Sequence, residues 1–311
     1  MAGKKWTRRD FLKTAAVAPV ASAVGCSCLS CPKPVPAAPA GAGMARITQM
    51  SHKSRVVLVR DAAAVGEARK INASVVQKML DDAVMTLFLE KDPLVAWKHI
   101  VGPSDIVGVK TNVWNALPTG PELEGAIRTR LLEAGVPADK ISIKDRGLPN
   151  DPIFQAATVL INVRPARVHY WSGMGSCIKN YITFTPKYAE WHNDACADLA
   201  KIWSLPQVAG RTRLNILSML TPLYHNIGPR GFSEQYLWPY KGLIVSQDPV
   251  AADATGYSII RAKRLEVFGE DKPLEVSAHH IELADTKYGL GKSKPEDIDL
   301  IKLGWSDGIL I

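Results

Sequence analysis

Residues 105–112 read Asp105-Ile106-Val107-Gly108-Val109-Lys110-Thr111-Asn112, a short apolar run that stops at a cation, a hydroxyl and an amide. Such a run is too short for a helix and too uniformly apolar for a half-exposed strand, so it reads as a strand buried on both faces. The pattern recurs along the chain. Lys140–Asp145 leads into Arg146-Gly147, and Thr158–Val163 leads into Arg164, Arg167 and His169. Arg213–Leu220 follows, then Gly242–Ser246, which leads into Gln247-Asp248-Pro249. Arg55–Arg60 opens the series and Ile298–Leu303 closes it. Helical segments separate the strands. Asn72 caps a helix reaching about Glu90, with Val76, Met79, Leu80, Ala83, Val84 and Leu87 on one face. Pro121–Ala134 stops at Gly135, and Pro186–Ile202, Pro249–Arg261 and Ser277–Lys287 follow. The alternation predicts an α/β fold, a layered sandwich around a mostly parallel sheet.

In such sheets ligands bind beyond the carboxyl ends of the strands. That rule selects Lys110, Asn112, Asp145, Arg146, Arg167, His169, Lys179, Asn180, Asp248 and Asp253. Lys110, Arg146, Arg167 and Lys179 are candidates for neutralising an anion, with Asp145 as a counter-charge. Asn112 and Asn180 are candidates for orienting it. His169, with Asp248 or Asp253, is the candidate proton-transfer or metal group. Taken singly, each residue has a plainer reading. Asp248-Pro249 is a helix cap with proline in the first turn. His169 is a hydrogen-bonded histidine, and Lys110 is a surface charge. The joint expectation is that Lys110, Asn112, His169, Lys179 and Asp248 line one cleft. Gly173-Met174-Gly175 lacks the full dinucleotide fingerprint. His279-His280 and Glu282 read as part of a structural helix. Neither G-x-S-x-G nor H-E-x-x-H occurs, so hydrolase and zinc-protease readings have no anchor.

The N-terminus carries an address. Lys4-Lys5-Trp6-Thr7-Arg8-Arg9-Asp10-Phe11-Leu12-Lys13 precedes a short apolar run, Ala15–Gly25, and reads as a twin-arginine export signal over residues 1–25. Ala21-Ser22-Ala23 fits one cleavage site; Ala23-Val24-Gly25-Cys26 fits a lipobox that makes Cys26 a lipidation candidate. Residues 26–45 form a Pro/Ala/Gly-rich tether, and residues 46–311 are expected to form one α/β domain. Five cations against Asp10 put half of the chain's net charge of +8 into the signal, which removes the main support for a nucleic-acid partner. With 47% hydrophobic and 22% charged residues the body is globular rather than disordered, and no apolar run is long enough to span a bilayer. Of the five cysteines, Cys26, Cys28 and Cys31 sit in the tether and supply no four-ligand set. Cys177 and Cys196 are either a disulfide or two free thiols.

These residues carry a resemblance to a family named only as domain of unknown function 362. The similar blocks are Val109-Lys110-Thr111-Asn112, Pro121–Val136, Ile141–Asp145, Leu160–His169, Lys179-Asn180, Ser246–Asp253 and Tyr288–Ile298, so the likeness spans roughly residues 55–303. The family pattern has proline where Thr111 stands, and lysine where Arg167 begins Arg167-Val168-His169. The resemblance implies an α/β domain and no settled reaction. Some relatives carry an appended four-cysteine cluster module. No such motif lies in these residues, so a metal or iron–sulfur cofactor is an open identity without a ligand set. The expectation is an exported, periplasmic or envelope protein with an anion-accepting pocket, working as a metal- or cofactor-dependent enzyme. The alternative is a non-catalytic envelope binding protein or an accessory to a redox partner. Its expected contacts are the twin-arginine machinery, an anionic small molecule, and the membrane only through a signal or lipid anchor.

Overall fold

A computed structural model describes residues 53–226, 231–270 and 276–311. The twin-arginine motif, Cys26 and the tether lie outside the described residues. The body contains β1 (Ser54–Arg60), α1 (Ala73–Phe88), α2 (Pro93–Lys98), β2 (Val107–Lys110) and α3 (Pro121–Glu133). Next come β3 (Ile141–Lys144), α4 (Pro152–Ala156), β4 (Val159–His169), β5 (Gly173–Gly175) and α5 (Cys177–Asn180). β6 (Thr212–Leu223), β7 (Gly242–Ser246), α6 (Pro249–Phe268), α7 (His280–Thr286) and β8 (Ile298–Gly304) complete it.

The strands form one sheet in the order β3-β2-β4-β6-β7-β1-β8, with β5 folded back antiparallel on the end of β4. β7 runs against both its neighbours, β6 and β1, and the other ladders along the path are parallel. The sheet is therefore mostly parallel, and helices cover both faces. Val57, Val109, Ile161 and Ile216 pack beneath α1, α2 and α3, against Leu80, Trp97 and Ile127. Val56, Leu58, Leu160, Leu217 and Ile244 pack on the other face, against Val250 and Ile259 of α6 and Ile281 of α7. Each such fully buried aliphatic side chain contributes about 1.5–3 kcal/mol, which fixes the register of a sheet buried on both sides.

Local chemistry sets the ends of the elements. The Asn72 side chain accepts from the Val75 N–H at the start of α1. Gly135, at φ +95, follows α3 with its Cα against Pro103, where a Cβ would lie 2.9 Å from the ring.

Three segments depart from the sequence expectation. β4 does not stop at Val163 but continues through Pro165 to His169. The proline is tolerated because the ladder with β6 slips between Pro165 and Arg167. The expected helix over 186–202 is instead two 3₁₀ segments, Tyr188–Cys196 and Leu199–Ser204. Asp194, Ala195 and Cys196 interrupt it with φ of 47, 51 and 66, left-handed values that no α-helix continues through. α6 runs to Phe268, beyond the expected Arg261, and closes on Gly269 at φ +74.

Candidate functional site

Register brings a polar row across the middle of the sheet. Lys110 of β2 lies opposite Asn162 of β4, Asn162 opposite Asn215 of β6, and Asn215 opposite Ser246 of β7. β2 ends at this row while β4 carries on past it, so the end of β2 and the long tail of β4 make a step at the sheet's edge. α5 sits over that step. The Asn180 amide donates to the Lys110 and Val163 carbonyls and to Asn162 Oδ1, and its Oδ1 accepts from Lys110 Nζ at 3.1 Å. Asn162 in turn donates to Asn215 Oδ1 and to the Cys177 carbonyl, both at 3.0 Å. Every polar atom of this ladder has a protein partner, so it positions its neighbours.

Lys110, fully buried, donates to Asp145 Oδ1 at 2.5 Å. Burial pulls the ammonium down to about 8 against the pull of Asp145. For Asp145 burial acts upward, but Lys110 and the Val113 N–H outweigh it and hold the carboxyl below the usual range. This is a closed pair. Asp253, on α6, is likewise spent on structure. It accepts from the Cys177 and Ile178 N–H groups at 2.8 Å each and pins the start of α5 to α6. Burial nevertheless raises it to about 6.

The remaining cations are not closed. Arg164 is 3% exposed and, among the described residues, makes no hydrogen bond and has its Nε buried with no acceptor. Burial lowers its affinity for the proton, and longer-range attraction, chiefly to Asp145 and Asp253, opposes this. Arg167 is 4% exposed, gives Nη1 to Asn112 Oδ1 at 3.0 Å and lies over the Trp114 ring at 4.3 Å; its Nε is orphaned too. Lys179 is 3% exposed, and its ammonium meets only the Cys196 thiol, at 3.4 Å. Burial, with Arg164 and Arg167 adding repulsion, brings Lys179 down to about 8. The backbone has been trimmed to admit these side chains: a Cβ on Gly175 would lie 2.8 Å from Arg164 Nη2. Arg60 shows the contrast. That arginine is equally buried, yet it donates to the Tyr240 and Asp307 carbonyls and is clasped between the Tyr240 and Trp305 rings.

His169 ends β4. Its Nδ1 accepts from the Trp171 N–H at 3.1 Å. Burial, then Lys179 and the two arginines, push its imidazole far below the ordinary histidine range, so it is neutral. His192 stands near it, with ring centres 6.4 Å apart, and Trp171 packs on His192 at 4.2 Å. Cys177 and Cys196 are free thiols. Among the described residues no group of three His, Cys, Asp or Glu side chains converges as a metal site.

The structure thus sets Lys110, Asn112, Asp145, Arg167, His169, Lys179, Asn180 and Asp253 along β4 from Asn162 to its carboxyl end at His169. Two expected members are elsewhere. Asp248 follows β7, and because β7 is antiparallel its carboxyl end points to the opposite edge. There Asp248 caps α6 through the Val250 and Ala251 N–H groups and accepts from Ser54 Oγ and the Lys292 N–H. Arg146 stands in solvent with its side chain 78% exposed, 3.9 Å from Asp145. Arg164, Cys196, Asn162 and Asn215 join the cluster without having been selected from sequence. Two-residue alternation from Asn162 gives Arg164, which was the available signal.

An α/β sandwich with an under-compensated cation cluster at a strand terminus is the class that fold and site define. Residues 135–258 match the model of the family described as Domain of unknown function (DUF362). The match runs from the end of α3 into the first half of α6 and takes in Asp145, Arg164, Arg167, His169, Lys179, Cys196 and Asp253. No curated protein and no solved structure gives a significant match.

Proposed function

We propose that the chain binds a small anionic molecule, a carboxylate or a phosphate, at the cluster formed by Arg164, Arg167 and Lys179. The carrying observation is Arg164, a buried guanidinium without a hydrogen bond. An unanswered cation costs several kcal/mol of desolvation, which an arriving anion offsets. Lys110–Asp145 and the asparagine ladder hold the floor of the site, Asn112 steadies Arg167, and neutral His169, whose Nδ1 accepts from the Trp171 N–H, has its Nε2–H left to donate.

The test is thermal unfolding of the protein in sodium phosphate and in sodium citrate, against sodium chloride of equal ionic strength. A bound anion at a hundred times its Kd adds about 2.7 kcal/mol of stability. Its pH dependence has a definite sign. Lys110 and Lys179 hold their protons only below about 8, so the anion-specific increment shrinks as pH rises from 7 to 9. The empty protein behaves oppositely. Its two lysines bind fewer protons than the unfolded chain between about 8 and 10.5, so their contribution to stability rises with pH across that window. Equal melting in chloride, phosphate and citrate at pH 7 sinks the reading.

We also propose that this activity is exercised outside the cytoplasm, on a lipid-tethered body. The support is the Arg8-Arg9 motif before a weak apolar run that closes on Gly25-Cys26. Changing Arg8 and Arg9 together to lysine leaves the precursor inside the cell, and the mature wild-type chain begins at an acylated Cys26 by intact mass. Unchanged export of the double variant contradicts the first expectation, and a mature chain starting at Val24 contradicts the second.

A further inference from the structure

We propose that Cys196 is a nucleophile, activated by Lys179, that attacks an electrophilic carbon carried on a small acid. The inference rests on the anion site above and adds the reacting atom to it.

Three observations place the thiol there. Lys179 Nζ, buried, has Cys196 Sγ as its sole hydrogen-bond partner among the described residues, at 3.4 Å. Arg164, unpartnered and 3% exposed, acts electrostatically on Cys196 and Lys179 alike, so the orphaned guanidinium and the thiol share one site. The chain also accepts three consecutive left-handed residues, Asp194, Ala195 and Cys196, in order to present the sulfur. None is glycine, and each such residue costs roughly 1–2 kcal/mol, a strain that persists where surrounding structure enforces it. The Trp171 carbonyl takes the other side of the sulfur at 3.4 Å, and Trp171 is 40% exposed, so the thiol lies one residue beneath the surface. Burial raises both thiols; at Cys196 the Lys179 ammonium and Arg164 oppose it, whereas Cys177, equally buried and with no lysine bonded to it, is pushed well above the ordinary range by burial with Asp253 adding to it.

The step balances without a further reagent. The Cys196 proton passes to the Lys179 amine, a form whose share grows as pH rises towards and past about 8, because burial has weakened its hold on a proton. The sulfur lone pair forms the S–C bond. On a halo acid the carbon–halogen bond breaks and halide leaves. On a keto acid the carbonyl π pair moves to oxygen, and the Lys179 ammonium protonates it. In either case the carboxylate is held by Arg164 and Arg167.

Iodoacetate and iodoacetamide test this directly, because they deliver the same electrophilic carbon with and without the charge. A free thiol reacts faster with the amide. In the native protein Cys196 is expected to react faster with the acid, by about tenfold, as an electrostatically focused site accelerates an anion. Cys177 stays unmodified, with the site of labelling read by peptide mass spectrometry. Arg167→Gln is expected to slow the acid more than the amide and so to remove the preference. Lys179→Gln is expected to slow both reagents. A preference for iodoacetamide overturns the proposal. If the amide still labels native Cys196 quickly, the failure lies in the anion site. If neither reagent labels Cys196 before global unfolding, the failure lies in the thiol, and the phosphate increment decides the anion site separately.

Discussion

Arg164→Met raises the melting temperature of the empty protein and abolishes its response to phosphate. Most substitutions of a fully buried side chain destabilise, so the expected sign is itself diagnostic. The guanidinium is dehydrated, hydrogen-bonds to nothing and repels Lys110, Arg167 and Lys179. Exchanging poorly compensated buried charge for an apolar group of similar length typically gains about 1–4 kcal/mol. At about 2–4 °C per kcal/mol for a chain of this size, the shift is well outside measurement error. Phosphate then stabilises the variant no more than chloride does. A fall of several degrees instead would show that Asp145 and Asp253 hold Arg164 as a structural cation, and would remove the main support for an anion site.

Asp145→Ala has the opposite effect. It leaves Lys110 fully buried with only the Asn180 side chain and the Thr111 carbonyl as acceptors. Breaking a buried pair on one side costs about 3–5 kcal/mol, measurable as a shift of the urea midpoint. Two companions make the cause legible. Lys110→Met combined with Asp145→Ala recovers most of the loss, because no orphaned charge remains. The single variant also regains stability as pH rises above 8. Its Lys110 sheds the proton in the native state while the unfolded chain still binds it, which is the sign that favours folding at higher pH. A deficit that is flat in pH and unrelieved in the double variant would assign Asp145 to backbone support, through its bond from the Val113 N–H.

The strands and their order of appearance were legible in the sequence because strands buried on both faces read as unbroken apolar runs, as in Val107–Val109 and Leu243–Val245. What such runs do not carry is direction. Gly242–Ser246 looks like its neighbours, yet it pairs antiparallel with both β6 and β1, which moves Asp248 from the expected cleft to the far edge. Lys110 was legible as a strand-end cation, but its burial depended on a partner 35 residues on and another 70 residues on. Arg164 was hidden by Pro165. A proline after Asn162-Val163 ordinarily ends a strand, and the slip in register that rescues this one has no local signature. The left-handed turn at Asp194–Cys196 was masked by helix-forming neighbours and is imposed by tertiary packing, so Cys196 could not be placed beside Lys179 by spacing.

The pairing of β1 has a consequence for how the chain is made. Val56 and its neighbours on β1 find their partners in β7 on one side and β8 on the other, at Ser246 and Leu300. The first of the described strands therefore has both edges bare until β7 is made, and one edge bare until β8 is made near the end of the 311 residues. Contacts of such sequence separation form slowly, and an unpaired Val56-Val57-Leu58-Val59 is a template for association with other chains. A nascent chain cannot seal its sheet piecemeal: the last strand closes the edge opened by the first. That arrangement makes completion of the fold a late, whole-chain event.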